Sequence, residues 1–189
     1  MRTVADTAKQ ITALISKLSL KSPRPVSAKS RELVDIQALV EEVVAPIAEA
    51  GSVPIRVDGG PVGFVLGIRE QLHQVLLNTV LNAQQAIGKD GSISIIVKQV
   101  GSSIRIEVED TGVGIPQDKL ETLFRPSPSR QVTGLGIGLY QTKQIIEAHD
   151  GTIHVRSEQG TGTHVHIELP LHCPPEVNTE KVMAASTAS

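Results

Sequence analysis

A glycine-rich run in the second half of the chain has the residue types of a phosphate-binding segment. Three glycines alternate with aliphatic residues in the run Gly134, Leu135, Gly136, Ile137, Gly138 and Leu139. Because glycine lacks a Cβ, its backbone N–H can approach a ligand closely. A helix that begins there directs free N–H groups and the positive end of its dipole at the same place. The run therefore favours phosphate binding, and a plain turn before a helix is the alternative.

Two asparagines and an aspartate further upstream have side chains that suit a nucleotide. Asn78 and Asn82 are four residues apart and share one face of a predicted helix. An amide carbonyl oxygen is a suitable ligand for Mg²⁺, which takes few protein ligands and keeps waters and substrate phosphates. Asp110 ends an apolar strand and enters a Gly-x-Gly turn. A carboxylate there selects a hydrogen-bond donor such as an exocyclic amine, and a structural turn aspartate is the alternative.

Two familiar nucleotide-binding motifs are absent from the sequence. A P-loop needs a Gly-Lys-Ser/Thr ending, whereas Gly88 and Lys89 are followed by Asp90. The glycines at 134–138 follow a polar loop instead of a strand, so they lack the context of the dinucleotide-binding fingerprint.

The composition limits the classes of partner. The chain has 189 residues, of which 40% are hydrophobic and only 2% aromatic, and its net charge is −2. Few aromatic rings are available to stack on bases, and no basic run is present to bind a phosphate backbone, so we expect no nucleic-acid partner. The single cysteine, Cys173, fits a reducing compartment. No apolar run reaches the roughly 20 residues of a membrane helix, so we expect no membrane segment in this chain and a cytoplasmic location.

Periodicity predicts the elements that must position these residues. The predicted helices are 3–20, 36–50 with Asp35 as its cap, 69–87, a short one at 117–123, and 136–149. The predicted strands are 53–57, 62–66, 92–100, 103–109, 152–156 and 163–169. We expect a linker at 23–34 and a disordered tail at 173–189. Mixed strands and helices with hairpins predict an α+β fold, a two-layer sandwich with helices on one face of a single sheet and a helical segment before it.

Four segments, in this order and spacing, resemble the N, G1, F and G2 boxes of the catalytic ATP-binding domain of sensor histidine kinases. They begin at Asn78, Asp110, Leu123 and Gly134. The ending at 151–170, with Gly160, Gly162 and Thr163, resembles the closing strands of the same domain. The resemblance covers about residues 53–170, and the predicted catalytic domain runs from 35 to 172. Residues 1–22 resemble, more weakly, the second helix of the dimerisation and phosphoacceptor bundle of the family.

The resemblance implies a Bergerat ATP-binding fold with a mixed sheet, ATP and Mg²⁺ as cofactors, and a role for each matching residue. Asn78 and Asn82 would be catalytic, with Asn82 holding Mg²⁺, and Asp110 would accept a hydrogen bond from the adenine amine. Gly112 and Gly114 would let the backbone close on the base, and residues 124–133 would form the ATP lid. The residues assigned to nucleotide binding are Asn82, Asp110, Gly112, Gly114, Ile115, Phe124, Arg130, Gly134, Leu135, Gly136, Ile137, Gly138, Leu139 and Thr163.

Two features of the sequence bear on the activity that the resemblance implies. Related gyrase-type and chaperone ATPases resemble the same pocket but have Glu at the position of Asn78, and an amide cannot take a proton from water. The chain therefore suits phosphoryl transfer to a side chain better than hydrolysis. The F box and lid depart from the family pattern, because Ser127 replaces an aromatic residue and Arg130 lies one place from the usual basic position.

These observations predict a protein histidine kinase domain that transfers the ATP γ-phosphoryl group to a histidine outside this chain. The implied partners are a phosphoacceptor helix and a response regulator, the full-length protein would be a homodimer, and the location would be cytoplasmic or the cytoplasmic part of a membrane-bound sensor. The alternatives are a regulatory nucleotide-binding module without transferase activity and a serine kinase that acts on an anti-sigma partner.

The histidines in the sequence offer no clear phosphoacceptor. His149 precedes an acidic residue, as family acceptors do, but Gly151 breaks the helix directly behind it. His154, His164 and His166 occupy alternate strand positions, which predicts a solvent-facing sheet surface, with an adventitious metal site as the alternative.

Overall fold

The computed structural model describes residues 30–51, 53–88, 90–124 and 138–173. The predicted helix at 3–20, the glycine run before Gly138, the lid beyond Phe124 and the tail beyond Cys173 lie outside these residues. The strands of the described part are β1 Glu32–Asp35, β2 Ile55–Gly59, β3 Phe64–Gly67, β4 Ile93–Val100, β5 Ser103–Asp110, β6 Thr152–Glu158 and β7 Gly162–Pro170. Its helices are α1 Ile36–Ala50, α2 Arg69–Ala86, α3 Gln117–Leu120 and α4 Gly138–Ala148.

A five-stranded mixed sheet organises the domain in the order β2-β4-β5-β7-β6. Strands β2 and β4 are parallel, and the other neighbouring pairs are antiparallel. Alternate residues of β4, β5 and β7 are buried against the helices, so one face of the sheet forms the core. The predicted α+β sandwich with a mixed sheet is confirmed, as is the hairpin between β4 and β5.

Helix α2 is the central element of the helical layer. Its predicted stripe is buried throughout and consists of Leu72, Val75, Leu76, Val80 and Ala83, with Ile87 following directly. The helix contacts α1 on one side and α4 on the other, and it packs on β5 and β7. The three-to-four spacing of the stripe therefore fixes the face that α2 turns toward the sheet.

The first part of the described chain differs from the prediction. Residues 32–34, which were expected to belong to a linker, form β1 together with Asp35 and pair with β3 in a separate two-stranded sheet. The strand is only four residues long and buries only Val34, so no periodic signal marks it. The predicted cap of α1 is present, because the Asp35 side chain accepts a hydrogen bond from the Ala38 backbone N–H at 3.0 Å.

Other boundaries shift by a few residues. Strand β2 begins at Ile55 and not at residue 53, because Pro54 has no N–H to donate to a ladder. Strand β3 begins at Phe64 instead of residue 62, and β6 continues to Glu158. Helix α3 ends at Leu120, after one turn, instead of at residue 123.

His149 lies at the end of α4 and is buried, with 3% of its surface exposed. Its Nδ1 lies 2.7 Å from the carbonyl oxygen of Ile145, and its Nε2 accepts a hydrogen bond from the Ile68 N–H at 3.0 Å. Both ring nitrogens are therefore engaged: Nδ1 with a carbonyl of α4 itself, and Nε2 with the residue that precedes α2. The location agrees with the expectation that His149 is not a phosphoacceptor.

Replacing His149 by Leu keeps the bulk of the side chain and removes both hydrogen bonds. We expect the free energy of unfolding to fall by about 1–3 kcal/mol, because the Ile68 N–H loses its partner, while the Ile145 carbonyl keeps its bond from the His149 backbone N–H. Denaturant titration measures the change. His154→Leu on the exposed sheet face is the matched control and is expected to cost less than about 0.5 kcal/mol. Equal losses in the two variants would contradict this role of His149.

Candidate nucleotide-binding site

A cavity of about 450 Å³ lies between the carboxyl half of α2, the ends of β5, β6 and β7, and the loop that follows β5. Its size is within the range of small-molecule sites. Its polar lining consists of Thr79, Asn82, Gln85, Asp110, Lys119 and Thr163. The rest of the lining is apolar and includes Val108, Val155 and Val165 from the strands and Leu139 from α4. Such a cavity suits a ligand with an apolar body and a few hydrogen-bonding groups.

Asp110 is the buried acidic group of this cavity, with 5% of its surface exposed. One carboxylate oxygen accepts a hydrogen bond from the Gly112 N–H at 2.8 Å, and the Thr163 N–H is a second backbone donor to the carboxylate. Burial raises the pKa of the Asp110 carboxyl group above its ordinary value, and the hydrogen bonds from Gly112 and Thr163 oppose that rise. Burial thus disfavours the charged form of the Asp110 carboxyl group, and hydrogen-bond donors already in place around it partly offset this cost.

The register of the sheet explains why these groups meet. Asp110 is the last residue of β5 and lies opposite Thr163 in the antiparallel pair with β7. Gly162 precedes Thr163, and a Cβ at this glycine would lie 2.0 Å from the Asp110 carbonyl oxygen. A side chain there would therefore force the two strand ends apart.

The loop after β5 is held between α2 and the turn that joins β6 to β7. The Val113 N–H donates to the Ala86 carbonyl at 2.9 Å, and the Val113 carbonyl accepts from the Gly160 N–H at 2.8 Å. Gly114 has a positive φ of 65°, and a Cβ there would lie 2.0 Å from the Glu158 carbonyl oxygen. These contacts fix the backbone that lines the cavity.

The two glycines of this loop differ from each other in their surroundings. Gly114 lines the cavity, whereas Gly112 is buried and a Cβ there would lie 2.5 Å from the Ala86 carbonyl oxygen. Both glycines are needed where the loop approaches other backbone of the protein. The structure therefore supplies a reason for them besides the predicted approach of backbone to a base.

The two asparagines of α2 occupy different places. Asn82 lines the cavity, whereas Asn78 is not among the cavity-lining residues of the described chain. Asn78 lies instead beside Gly138, the first residue of α4. A Cβ atom added to this glycine would be 3.8 Å from the Asn78 amide group. The α2 face that carries both residues thus extends from the cavity to the start of the helix that follows the glycine run.

Phe124, which was predicted to take part in nucleotide binding, is partly buried against the core and is not among the cavity-lining residues. The ammonium group of Lys143 lies 5.3 Å from the centre of its ring, within the range of a cation–π contact. Phe124 thus ties the end of the described segment 90–124 to α4.

The structure brings six predicted residues into the cavity wall, namely Asn82, Asp110, Gly114, Ile115, Leu139 and Thr163. Arg130 and the residues Gly134, Leu135, Gly136 and Ile137 lie outside the described part of the chain. Their predicted contacts with phosphate stay predictions.

Sequence reasoning missed several residues of the site. Gln85 follows Asn82 by three residues, so helical spacing was a signal that could have assigned it to the same face of the helix. Lys119 carries no signal of its own, since it belongs to a single helical turn. Ser157 does not line the cavity but contacts Ile115 and Thr163, which do, and it was missed although it follows aliphatic residues at the inward positions of β6.

Comparison with known proteins gives the family. A family model described as "Histidine kinase-, DNA gyrase B-, and HSP90-like ATPase" matches residues 67–172, more than half of the chain. The chain belongs to this ATPase family. The cavity of the ATPase domain, with Asn82 and Asp110 in its wall, lies within the matched segment.

The relatives of this ATPase domain include sensor histidine kinases. Sensor histidine kinase ZraS of Escherichia coli K12 is 42% identical over 103 residues, which cover 54% of this chain and 22% of the relative. Sporulation kinase C of Bacillus subtilis is 31% identical over 169 residues, which cover 86% of this chain and 39% of the relative. The structure of the mycobacterial sensor histidine kinase MprB has a TM-score of 0.65 at 25% identity and covers 74% of this chain and 97% of that chain.

These likenesses identify the domain as the ATP-binding catalytic domain of the sensor histidine kinase type. They do not favour the alternative of a regulatory module without transferase activity. The chain spans less than two fifths of the length of either curated relative.

Two further findings concern a possible metal site outside the cavity and a possible membrane-spanning helix. Within residues 30–51, 53–88, 90–124 and 138–173, no three His, Cys, Asp or Glu side chains are grouped so that they could hold a metal ion. The alternative of a metal site at His154, His164 and His166 is therefore not supported, and His166 instead contacts Glu168 at 3.1 Å. No helix of the described chain is long and apolar enough to cross a membrane.

The raised pKa of Asp110 predicts how stability depends on pH. A carboxyl group whose pKa is higher in the folded than in the unfolded state favours folding below its unfolded value of about 3.9 and loses that contribution as the pH rises through the folded value. We therefore expect wild type to gain stability relative to Asp110→Asn as the pH is lowered from 7 toward 4. Thermal or denaturant unfolding of both proteins across this range measures the difference.

The control for this experiment is Asp118→Asn, which changes an exposed aspartate of α3 in the same way. Its stability difference from wild type is expected to vary less over the same range. If the stability difference between wild type and Asp110→Asn does not change with pH, or changes in the opposite direction, the conclusion that burial raises the pKa of Asp110 is contradicted.

Proposed function

We propose that this chain binds ATP with Mg²⁺ in the cavity and transfers the γ-phosphoryl group to a histidine on a separate helical segment. The observation that carries the proposal is the Asp110 carboxyl group, buried in the wall of an otherwise largely apolar cavity. Apolar walls suit the faces of a purine, and a carboxylate that can only accept hydrogen bonds suits the 6-amino group of adenine. Thr163 and Gly112 hold this carboxylate in place.

The amide of Asn82 is the group that we propose to hold Mg²⁺. It lies in the cavity wall, and a neutral oxygen ligand on a rigid helix fits a cation that prefers oxygen and retains waters and phosphate oxygens. Bound Mg²⁺ supplies neutralisation of the phosphate charges during phosphoryl transfer. The side chain of Asn82 would orient the polyphosphate, while the start of α4 at Gly138 would present free N–H groups to it.

Asn78 accounts for the proposed preference for transfer over hydrolysis. Its amide lies beside the start of α4, and an amide has no basic group that takes a proton from water. ATP would therefore persist in the site until a better nucleophile reaches the γ-phosphorus. An imidazole nitrogen is such a nucleophile; its attack forms an N–P bond, breaks the bond to the β–γ bridging oxygen and releases ADP.

The acceptor histidine is proposed to lie outside this chain. Among the histidines that the structure describes, His149 has both ring nitrogens engaged inside the fold. We propose that residues 1–22 form the second helix of a dimerisation bundle and that the acceptor lies on the helix paired with it in a full-length homodimer. The phosphoryl group would then pass to a response regulator, and the site would face the cytoplasm, where ATP is available.

Base selectivity tests the role of Asp110. Asp110→Asn replaces an acceptor by a group that can turn an N–H toward the adenine amine, so ATP affinity should fall by about 2–4 kcal/mol, or tens to hundreds of times. GTP presents an acceptor at the same position and should bind wild type much more weakly than ATP. Titration calorimetry with a non-hydrolysable ATP analogue measures both effects. Glu109→Gln, on the exposed neighbour, is the matched control, and an unchanged affinity in Asp110→Asn would refute the assignment.

Transfer in trans tests the activity. The chain is incubated with labelled ATP, Mg²⁺ and a polypeptide that carries a helical His-Glu or His-Asp acceptor. We expect acid-labile label on the acceptor, slow release of free phosphate, and loss of labelling in Asn82→Ala. Gln71→Ala, about three turns earlier on the same helix, is the control that should retain transfer.

Two results would contradict the proposed activity. Strong labelling of the isolated chain at His149 would place the acceptor inside this domain. ATP binding without transfer to any acceptor would favour a nucleotide-binding module.

A further inference from the structure

Ser157 lies at the junction between the loop after β5 and the strand β7, and its hydroxyl group contacts both. The Ile115 N–H donates a hydrogen bond to Ser157 Oγ at 2.8 Å. Ser157 Oγ donates to the Gly162 carbonyl at 2.7 Å and lies 3.0 Å from Thr163 Oγ1. One small side chain thus connects two backbone groups and one side-chain hydroxyl group near the cavity.

The groups that Ser157 contacts are the ones that shape the end of the cavity. Ile115 and Thr163 both line it, and the Thr163 hydroxyl group donates to Ser157 Oγ, because the single Ser157 hydroxyl proton is used on the Gly162 carbonyl. Ser157 Oγ donates to the carbonyl of the Gly162–Thr163 peptide, and the N–H of the same peptide donates to Asp110, so one peptide unit links Ser157 to the carboxylate. Ser157 itself is not among the cavity-lining residues of the described chain, so it can act on a ligand only through these neighbours.

The environment of Ser157 indicates that its hydroxyl group serves to form hydrogen bonds, since an aliphatic side chain would fill the same position equally well. It occupies an inward position of β6, following Ile153 and Val155, which pack on the core. An aliphatic residue there would leave the Ile115 N–H without its acceptor. A partly buried donor without a partner destabilises the loop conformation that holds it. A hydrogen bond from the Gly160 N–H to the Val113 carbonyl also joins this loop to the turn between β6 and β7. A shift at Ser157 would therefore move both the loop wall and the strand wall of the cavity.

We infer that Ser157 is a positioning residue for recognition of the adenine amino group, acting through Thr163 on Asp110 and through Ile115 on the loop. This inference rests on the proposed ATP site and adds a residue that determines base selectivity. Ser157 sets the direction in which the Asp110 carboxylate is available, because it holds the Gly162–Thr163 peptide whose N–H donates to that carboxylate. Its loss should therefore weaken the distinction between bases more than it weakens binding of the rest of the nucleotide.

The experiment compares two nucleotides that differ only in the 6-amino group, ATP and purine riboside triphosphate. Wild type should prefer ATP by about ten-fold or more, since the amine of ATP meets the Asp110 carboxylate. In Ser157→Ala this preference should fall to about two-fold, while the affinity for purine riboside triphosphate changes little. Ser157→Thr retains the hydroxyl group and should keep the wild-type preference. Ser94→Ala, a serine between buried residues of β4 on the opposite face of the sheet, is the matched control.

A second comparison separates positioning from general damage. In the Asp110→Asn background, Ser157→Ala should reduce ATP affinity by less than about two-fold, because the group through which it acts has already been changed. Melting temperatures of all variants give their stability independently of binding. If Ser157→Ala folds and keeps the full preference for ATP, or if it weakens both nucleotides equally, the positioning role is overturned while the proposed ATP site stands. If wild type shows no preference between the two nucleotides, the base contact of the proposed function fails and this inference fails with it.

Discussion

The cavity depends on the burial of one carboxyl group at the end of a central strand. Removing a carboxylate from water costs several kcal/mol unless hydrogen bonds replace the lost solvation. At Asp110 those bonds come from Gly112 in the following loop and from Thr163 on the neighbouring strand. The antiparallel register of β5 and β7 sets Thr163 opposite Asp110, so the chemistry of the site follows directly from how the sheet is paired. A shift of that register would remove a donor from a buried charge.

The same constraint explains the glycines around the site. Glycines in a nucleotide site are commonly explained by the space that they leave for the ligand. At Gly112, Gly114 and Gly162, however, an added Cβ atom would clash with the backbone of another segment. Close contact between strand ends, loop and helix keeps the cavity wall in one conformation before any ligand arrives. A preorganised wall of this kind gives selectivity at a lower entropic cost on binding.

Sequence patterns predicted the local parts of this structure well and the long-range parts poorly. The buried stripe of α2 and the hairpin of β4 and β5 follow from spacing and from a short turn, which depend only on neighbouring residues. Strand β1 escaped prediction because its four residues bury a single side chain and gain their partner from β3, about thirty residues later. The boxes indicated Asn82 and Asp110 through their resemblance to a known domain. Ser157 carried no signal in the sequence beyond a hydroxyl group at an inward position, and only the folded contacts give it a role.

The most direct test of this account is the structure of the chain bound to a non-hydrolysable ATP analogue and Mg²⁺. The account predicts that the adenine ring lies between the strand and loop walls of the cavity and that its 6-amino nitrogen is within about 3.2 Å of an Asp110 carboxylate oxygen. It also predicts that the Thr163 N–H keeps its contact with that carboxylate. An analogue bound with its base outside the cavity, or with Asp110 turned away from the amine, would contradict the claim that this buried carboxylate recognises the nucleotide.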